Sequence, residues 1–313
     1  MTPYPRSVLR PLNSKPSIGI IAPRSRSEIQ RLEDAGATSF WVGGHVASPN
    51  SSPEVVTWLA RLVEQTSTAV IGTAALILPL YPPALLAKQL ADLDRASSGR
   101  LAIGVGVGGE YESDFAAVGV PIQERGARTD ESLSLLRAFW SAEPVSHNGR
   151  HYRFKEVRIH PAPLQAGGPP LFITGRKPVA MRRAARLGDG WMPYLYSAER
   201  YAESVEVIRN EANLLDRKLD DFLWSAYLFV AVDDDAAVAR NHALTFFGTT
   251  YRSDYEKFLD RVACVGTFET VTAKLQAFCD AGAGHLVLVP LGDDTVAIAE
   301  RLLREVVPQL AVR

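Results

Sequence analysis

Short apolar runs alternate with amphipathic stretches along most of the chain. Eight runs of strand length are each followed by a stretch in which apolar residues recur every three or four positions, the spacing of an amphipathic helix. The predicted strands are residues 17–22, 38–44, 69–78, 100–107, 170–174, 189–193, 223–232 and 284–291. Regular alternation of this kind predicts a parallel sheet with crossover helices. Eight units in 313 residues are typical of a (β/α)8 barrel.

The predicted organisation is one barrel domain, residues 17–313, after an N-terminal extension, residues 1–16. An insertion rich in Pro, His and Gly, Glu143–Gly168, separates the fourth helix from the fifth strand. Ser27 is expected to cap the first helix. The chain from Asp235 to the eighth strand is expected to be helical.

Composition excludes several classes of function. The chain has 34 basic and 35 acidic residues without a block of like charge, which argues against binding to nucleic acid or to an anionic membrane. Two cysteines make neither a disulfide framework nor a zinc cluster, and no metal site is expected. Because we find no signal peptide and no apolar run that could span a bilayer, we expect a cytoplasmic protein.

One glycine-rich stretch, LAIGVGVGGEYESDF, fits a dinucleotide-binding fingerprint by spacing alone. Gly104, Gly106 and Gly109 have the pattern G-x-G-x-x-G. Three strand–helix units precede it, whereas the fingerprint normally opens its domain. Glu110 directly after the last glycine would repel a pyrophosphate, and the residues that follow open a helix poorly. A dinucleotide site is therefore disfavoured here.

Alternation along the same strand suggests another use for its glycines. Gly104, Gly106 and Gly108 point to one face of the strand, which is consequently bare. Near the carboxyl end of a barrel strand, a bare face leaves room for a flat ligand. Close packing inside the barrel is the alternative.

Three long runs of the sequence are similar to the bacterial-luciferase-like oxidoreductases. They extend from IGTAALILPLYPP to LLRAFW (71–140), from EPVSHNGRHYRF to DGWMP (143–193), and from VGTFETVTAKL to HLVLVPL (265–291). The resemblance covers most of the chain from Ser17 onward. It implies a (β/α)8 barrel that binds FMN or the deazaflavin coenzyme F420 at its carboxyl face.

His45 and Glu110 are the candidate catalytic residues. His45 directly follows the second strand, on the face where barrel enzymes keep their sites, and histidine transfers protons near neutral pH. The resemblance places such a histidine beside the reactive centre of the flavin. Many relatives that use F420 have an acid just before it, but here Gly44 leaves the histidine without an expected orienting partner. Glu110 resembles an acid that lies near the cofactor or the substrate in some relatives that use F420. A structural loop histidine and a solvated carboxylate are the alternatives.

The turn FITGRKP is a candidate phosphate site. Thr174, Gly175 and Arg176 lie between a strand and a proline that starts a helix. Backbone N–H groups at a helix N-terminus and a guanidinium suit a phosphate. The resemblance implies that this turn holds the phosphate of the cofactor; two exposed cations after a strand are the alternative.

The remaining candidates would form the bed of the cofactor and the substrate pocket. In relatives, the end of the third strand often has a non-proline cis peptide against the back of the flavin, and the small residues of Thr73–Ala75 (Thr73, Ala74 and Ala75) permit one. Four aromatic residues near strand ends could line a substrate pocket or pack in the core. They are Trp41, Tyr111, Trp191 and Tyr194.

The resemblance and the residues together predict a two-electron oxidoreductase, with F420-dependent hydride transfer to or from a small organic substrate as the favoured reaction. A monooxygenase that uses reduced FMN is the first alternative, and a flavin-binding barrel without catalysis is the second. A homodimer, and a separate flavin or F420 reductase that supplies reduced cofactor, are further expectations.

Overall fold

The computed structural model describes residues 5–49, 51–251 and 255–312, so residues 1–4 of the predicted extension lie outside the described residues. The strands are β1 Ser17–Ile21, β2 Ser39–Val42, β3 Val70–Ile77, β4 Leu101–Gly106, β5 Val145–Asn148, β6 Arg153–Val157, β7 Leu171–Ile173, β8 Gly190–Trp191, β9 Leu223–Val232, β10 Ala263–Gly266 and β11 His285–Pro290. The helices are α1 Arg26–Asp34, α2 Val55–Gln65, α3 Pro83–Ala96, α4 Glu112–Ala117, α5 Arg125–Phe139, α6 Pro178–Leu187, α7 Ala198–Asn213, α8 Ala236–Tyr251, α9 Leu259–Val262, α10 Phe268–Asp280 and α11 Thr295–Arg301.

Eight parallel strands close into a barrel. Going round it, they follow the order β1, β2, β3, β4, β7, β8, β9 and β11, and β11 pairs with β1 again. The contact between β8 and β9 is short, at Gly190–Leu223 and Trp191–Trp224. The predicted (β/α)8 barrel is therefore confirmed.

The insertion before the fifth barrel strand forms an antiparallel hairpin of β5 and β6. Glu131 of α5 holds its tip: the carboxylate lies 2.9 Å from His147 Nε2 and accepts hydrogen bonds from the backbone N–H groups of His151 and Tyr152. The hairpin therefore packs on the outer helix layer and adds no strand to the barrel.

Three local expectations were wrong. Ser25, not Ser27, caps α1, because Ser25 and Glu28 satisfy each other's backbone N–H groups in a capping box. The sequence after Asp235 is not helical throughout, because β10 pairs with the carboxyl half of β9, beyond the point where β8 ends. The residues after Glu110 do form a helix, the short α4. Part of the predicted helical region, residues 252–254, lies outside the described residues.

Trp41 fills the centre of the barrel. It is fully buried, and its ring meets Phe172 edge-on with centroids 5.6 Å apart. A Cβ atom at Gly19 would come within 2.5 Å of the indole, and one at Gly72 within 2.6 Å. These two strand glycines are therefore required by the size of the tryptophan.

A polar layer lies below Trp41. Ser17 Oγ is 2.6 Å from His285 Nδ1, Ser39 Oγ is 3.4 Å from His285 Nε2, and the indole N–H of Trp41 donates to Ser39 Oγ. Leu9 of the N-terminal segment packs in the same interior cluster as Trp41. Burial lowers the pKa of His285 to about 3, so this histidine is neutral at physiological pH.

We expect His285 to make the protein less stable in acid. Between pH 6.5 and 3 the unfolded chain binds a proton that the native imidazole does not, so the free energy of unfolding falls as the pH is lowered, by roughly 1 kcal/mol per unit. Urea unfolding at pH 7 and pH 4.5 should show a smaller loss for His285→Gln than for the wild type, by about 2–3 kcal/mol. The same loss in both proteins would contradict this origin.

Candidate functional site

The mouth of the barrel, where the strands end at their carboxyl termini, has two unlike halves. Outward residues such as Ile20, Val105 and Leu288 belong to the layer under the helices, so their sequence neighbours point inward. On the side of β2, β3, β4 and β7 the uppermost inward residues are small: Gly43, Ala74, Gly106 and Thr174. On the opposite side they are large: Ile21, Tyr194, Phe229 and Val289.

Gly106 forms the floor of the small half. A Cβ atom here would make ordinary contacts, 3.4 Å from both Ala75 Cβ and Thr174 Oγ1, so the space above the backbone is open. The Ala74–Ala75 peptide is cis, as the sequence permitted, and the register of β3 on β4 shifts at this point. Gly106, Ala74, Ala75 and Thr174 are thus brought together as a shallow bed, which we call the small-residue bed.

Other predicted bed residues support it from beneath. A Cβ at Gly104 would collide with the carbonyl oxygen of Thr73, and Thr73 Oγ1 donates to the Gly104 carbonyl at 2.7 Å. Gly108 has φ +66°, and its Cβ position lies 2.6 Å from Ile77. The packing alternative therefore holds for Gly104 and Gly108, and Thr73 is fully buried between strands.

His45 is held by a buried acid that the sequence analysis did not identify. Nδ1 of His45 lies 2.8 Å from Oδ2 of Asp114, whose side chain is 1% exposed. The other oxygen of Asp114 accepts hydrogen bonds from the N–H groups of Val46 and Ala47, each at 2.8 Å. A carboxylate accepts, so Nδ1 carries the hydrogen and Nε2 of the neutral ring is left as an acceptor. His45 is 25% exposed.

The expectation that His45 lacks an orienting partner was wrong. Its basis was Gly44, and the structure explains that residue: a Cβ there would collide with the Pro53 carbonyl and lie 2.8 Å from Val55. No side chain fits at that position. The orienting carboxylate comes instead from Asp114 of α4, 69 residues further along the chain. Only the tertiary fold brings His45 and Asp114 together, so the spacing of residues in the sequence gave no signal for this pair.

The turn after β7 presents unpaired donors. Within the described part of the chain, no acceptor meets the backbone N–H groups of Gly175, Arg176 and Lys177. Gly175 is required because a Cβ would lie 2.5 Å from that of Ala180 in α6. The guanidinium of Arg176 lies 4.7 Å from the centroid of the Tyr194 ring.

Tyr111, Tyr194 and Glu110 lie at the rim. The Tyr111 ring meets His45 edge-on at 4.9 Å. Burial raises the pKa of Tyr194; Arg176 opposes this shift and Glu110 adds to it, so both charges act on the same phenol. Glu110 itself is exposed.

Trp41 and Trp191 do not line a pocket. Trp41 lies below the mouth in the barrel centre, as described above. Trp191 is on the outward face of β8, where it stacks on Tyr201 and its indole N–H donates to the Gly175 carbonyl. Both residues are fully buried and pack in the core, Trp41 because it lies one layer below the mouth and Trp191 because strand alternation turns it outward.

Two further features concern the described residues. None of their His, Cys, Asp and Glu side chains gather in threes in a way that could hold a metal ion. Among the helices formed by those residues, none has the length and apolar character needed to cross a membrane.

Comparisons with known proteins agree with this architecture. A family model described as luciferase-like monooxygenase matches residues 22–262. The F420-dependent glucose-6-phosphate dehydrogenase of Amycolatopsis mediterranei (strain U-32) is 26% identical, over 90% of this chain and 92% of that protein. The resemblance predicted from the sequence is confirmed.

Two solved structures share the fold. An F420-dependent secondary alcohol dehydrogenase, in complex with an F420–acetone adduct, has a TM-score of 0.82 at 20% identity, covering 94% of this chain and 98% of its own. A type II Baeyer–Villiger monooxygenase of Pseudomonas putida, the oxygenating constituent of 3,6-diketocamphane monooxygenase in complex with FMN, has a TM-score of 0.78 at 19% identity, covering 96% and 100%.

Proposed function

This chain belongs to the family of luciferase-like monooxygenases and is an oxidoreductase, and we propose that it transfers a hydride between coenzyme F420 and a small organic alcohol or carbonyl compound. The observation that carries the proposal is the pair of His45 and Asp114 beside the small-residue bed. A flat ring and a proton-transferring group would meet there. F420 is preferred to FMN because the relative that matches most of the chain at 26% identity is named as F420-dependent.

The residues present fit a flat cofactor with a phosphate. Gly106, Ala74 and Ala75 leave one face of the bed without side chains beyond a methyl group. Gly175 and Arg176 would hold the phosphate, through free backbone N–H groups at the start of α6 and through the guanidinium. Thr174 would support the turn from β4, since its N–H and its hydroxyl both donate to the Val105 carbonyl. The bed and this turn follow adjacent strands, β4 and β7, so one ligand could reach both.

When bound, F420 supplies a carbon that accepts or returns a hydride. The protein handles the accompanying proton. Oxidation of an alcohol removes a hydride from the carbinol carbon, which passes to the cofactor, and a proton from the hydroxyl group, which Nε2 of His45 accepts. Asp114 fixes the tautomer and stabilises the imidazolium that forms. In the reverse direction the imidazolium protonates the carbonyl oxygen.

Glu110 and Tyr111 complete the proposed site. Tyr111 packs edge-on against the imidazole and limits its rotation. Glu110 adds negative charge on the side of Tyr194, where it would favour a developing positive charge on the substrate or on His45.

The setting of the enzyme is also a proposal. We propose a cytoplasmic enzyme that acts as a homodimer on a small organic substrate, without nucleic acid or membrane partners. A separate F420 or flavin reductase would supply reduced cofactor. The two cysteines of the present chain, Cys264 and Cys279, are buried and unpaired, which suits a reducing compartment.

Filling the small-residue bed should abolish cofactor binding. Titration of the purified wild type with F420 and with FMN should show saturable binding of F420. Gly106→Val places two methyl groups above the bed and should weaken that binding at least about a hundredfold, because the ring can no longer approach the backbone. Circular dichroism checks the fold, and Gly106→Ala should have a smaller effect. Preferred binding of FMN would favour a monooxygenase, and binding of neither would favour a barrel without catalysis.

Loss of the guanidinium should weaken cofactor binding without loss of the fold. Arg176→Ala removes a charged hydrogen bond to the phosphate and should cost about 1–3 kcal/mol of affinity. Lys177→Ala is the matched control: the neighbouring cation is more exposed and should matter less. Equal affinities of Arg176→Ala and the wild type would remove the phosphate site from this turn.

Removal of the imidazole should slow turnover without loss of the cofactor. His45→Ala should lower kcat at least about a hundredfold, the lower end of general acid–base catalysis, with cofactor affinity nearly unchanged. Asp114→Asn keeps an oxygen that accepts from the Val46 and Ala47 N–H groups. Its amide NH2 group then faces Nδ1 of His45 in place of a carboxylate oxygen. This variant should lower kcat at least tenfold and shift the pH profile. Normal turnover in His45→Ala would leave Glu110 and Tyr111 as the candidates.

A further inference from the structure

The half of the mouth opposite the small-residue bed is aromatic. Phe229 points inward from β9, and α8 lays two rings on it: Phe246 at 5.5 Å and Phe247 at 5.2 Å between centroids. Tyr255 stacks on Phe247 at 4.6 Å. We call the partly exposed members of this cluster, together with Phe229 behind them, the aromatic wall. Its residues are Tyr194, Phe229, Phe246, Tyr251 and Tyr255.

The wall faces the proposed reaction centre. Tyr194 is one strand beyond the phosphate turn, with Arg176 over its ring, and it forms a bridge to Tyr227 of β9. Glu110, at the rim of the bed, acts electrostatically on Tyr194, Tyr251 and Tyr255. The wall and the small-residue bed are opposite halves of the same barrel mouth.

The wall is nearly uncharged. Burial raises the pKa of Tyr194, Tyr251 and Tyr255, which are therefore neutral phenols at physiological pH. Arg176 lowers the pKa of Tyr255 and Glu110 raises it, so charges of opposite sign act on this phenol.

Three arginines near the wall or the rim are engaged elsewhere. Arg176 is already assigned to the phosphate of the cofactor. In α8 the cationic side chain is that of Arg240. Its guanidinium donates to the Asp260 carboxylate at 3.3 Å and to the Glu256 carbonyl at 3.0 Å. Arg125 lies against Gly109 at the rim, where it donates to the Ile122 carbonyl. A phosphate dianion needs several convergent donors, and the wall offers phenol and phenyl rings.

We propose that the substrate is an alcohol or carbonyl compound with an apolar cyclic or aromatic carbon skeleton and no phosphate group, bound between the aromatic wall and the ring on the small-residue bed. This inference rests on the proposed function and adds the substrate class to it. Apolar rings pack well against aromatic faces, which bury a large area with little loss of side-chain freedom. The reacting oxygen would point to His45.

Ligand binding to the F420-loaded protein tests the proposal. The probes are cyclohexanol and 1-phenylethanol, against glucose 6-phosphate and inorganic phosphate, measured by calorimetry and by bleaching of the cofactor. We expect at least one apolar alcohol to bind at least tenfold more tightly than glucose 6-phosphate. Tighter binding of glucose 6-phosphate, or competition by inorganic phosphate, would overturn the proposed substrate class.

Variants locate the binding surface. Phe246→Ala and Tyr255→Ala should each weaken binding of the alcohol at least fivefold and leave cofactor affinity within twofold. Phe258→Ala is the matched control, because Phe258 is 52% exposed and outside the wall; it should change neither. Phe246→Leu, which keeps apolar volume, serves if Phe246→Ala fails to fold and should retain binding better than Phe246→Ser. Unchanged binding in the wall variants would overturn the assignment.

The two proposals fail differently. If neither F420 nor FMN binds, the proposed function is wrong, and the same alcohol and phosphate titrations on the protein alone still decide what the wall accepts. If F420 binds but glucose 6-phosphate is the preferred ligand, the proposed function stands and the substrate class is wrong.

Discussion

The limited volume inside an eight-stranded barrel is the constraint on which the site depends. Every strand sends alternate side chains inward, and the interior holds only a few large ones. Trp41 and Phe172 occupy the centre, which requires glycine at positions 19 and 72. Above them, small residues on one side and large ones on the other make the mouth asymmetric. The proposed flat ligand would be accommodated because the large side chains are concentrated on the opposite half.

The same constraint explains where the orienting acid comes from. Gly43 and Gly44 directly follow β2 and lie against the Ala74 carbonyl and the Pro53 carbonyl respectively. Backbone fills the space that a side chain would need. Asp114 on α4 compensates, since one carboxylate both orients His45 and pins the two N–H groups that follow it. A buried carboxylate with three partners is a rigid support, because each lost hydrogen bond would leave a polar group unpaired.

These contacts show what could be predicted from the sequence. Hydrophobic periodicity was sufficient for eight barrel strands, because buried parallel strands are short apolar runs. It missed β10, whose four residues leave no periodic pattern and whose pairing depends on the length of β9. Ser39 and Trp41 are two positions apart on one strand, so the alternation of side chains could have placed Trp41 inside the barrel. The direction in which Trp191 points depends on how β8 lies against its neighbours. Asp114 could not be found, because its partner lies in another strand–helix unit.

The parts of the site come from separate segments, and this separation has a functional consequence. The small-residue bed and the phosphate turn belong to β3, β4 and β7, and His45 follows β2, whereas Phe246, Tyr251 and Tyr255 of the aromatic wall belong to α8 and the segment after it. Phe246 packs on Phe229, and Tyr255 stacks on Phe247 with the Tyr251 ring 5.9 Å away. We therefore expect substitution there to alter the proposed substrate preference while the small-residue bed and the His45–Asp114 pair stay intact.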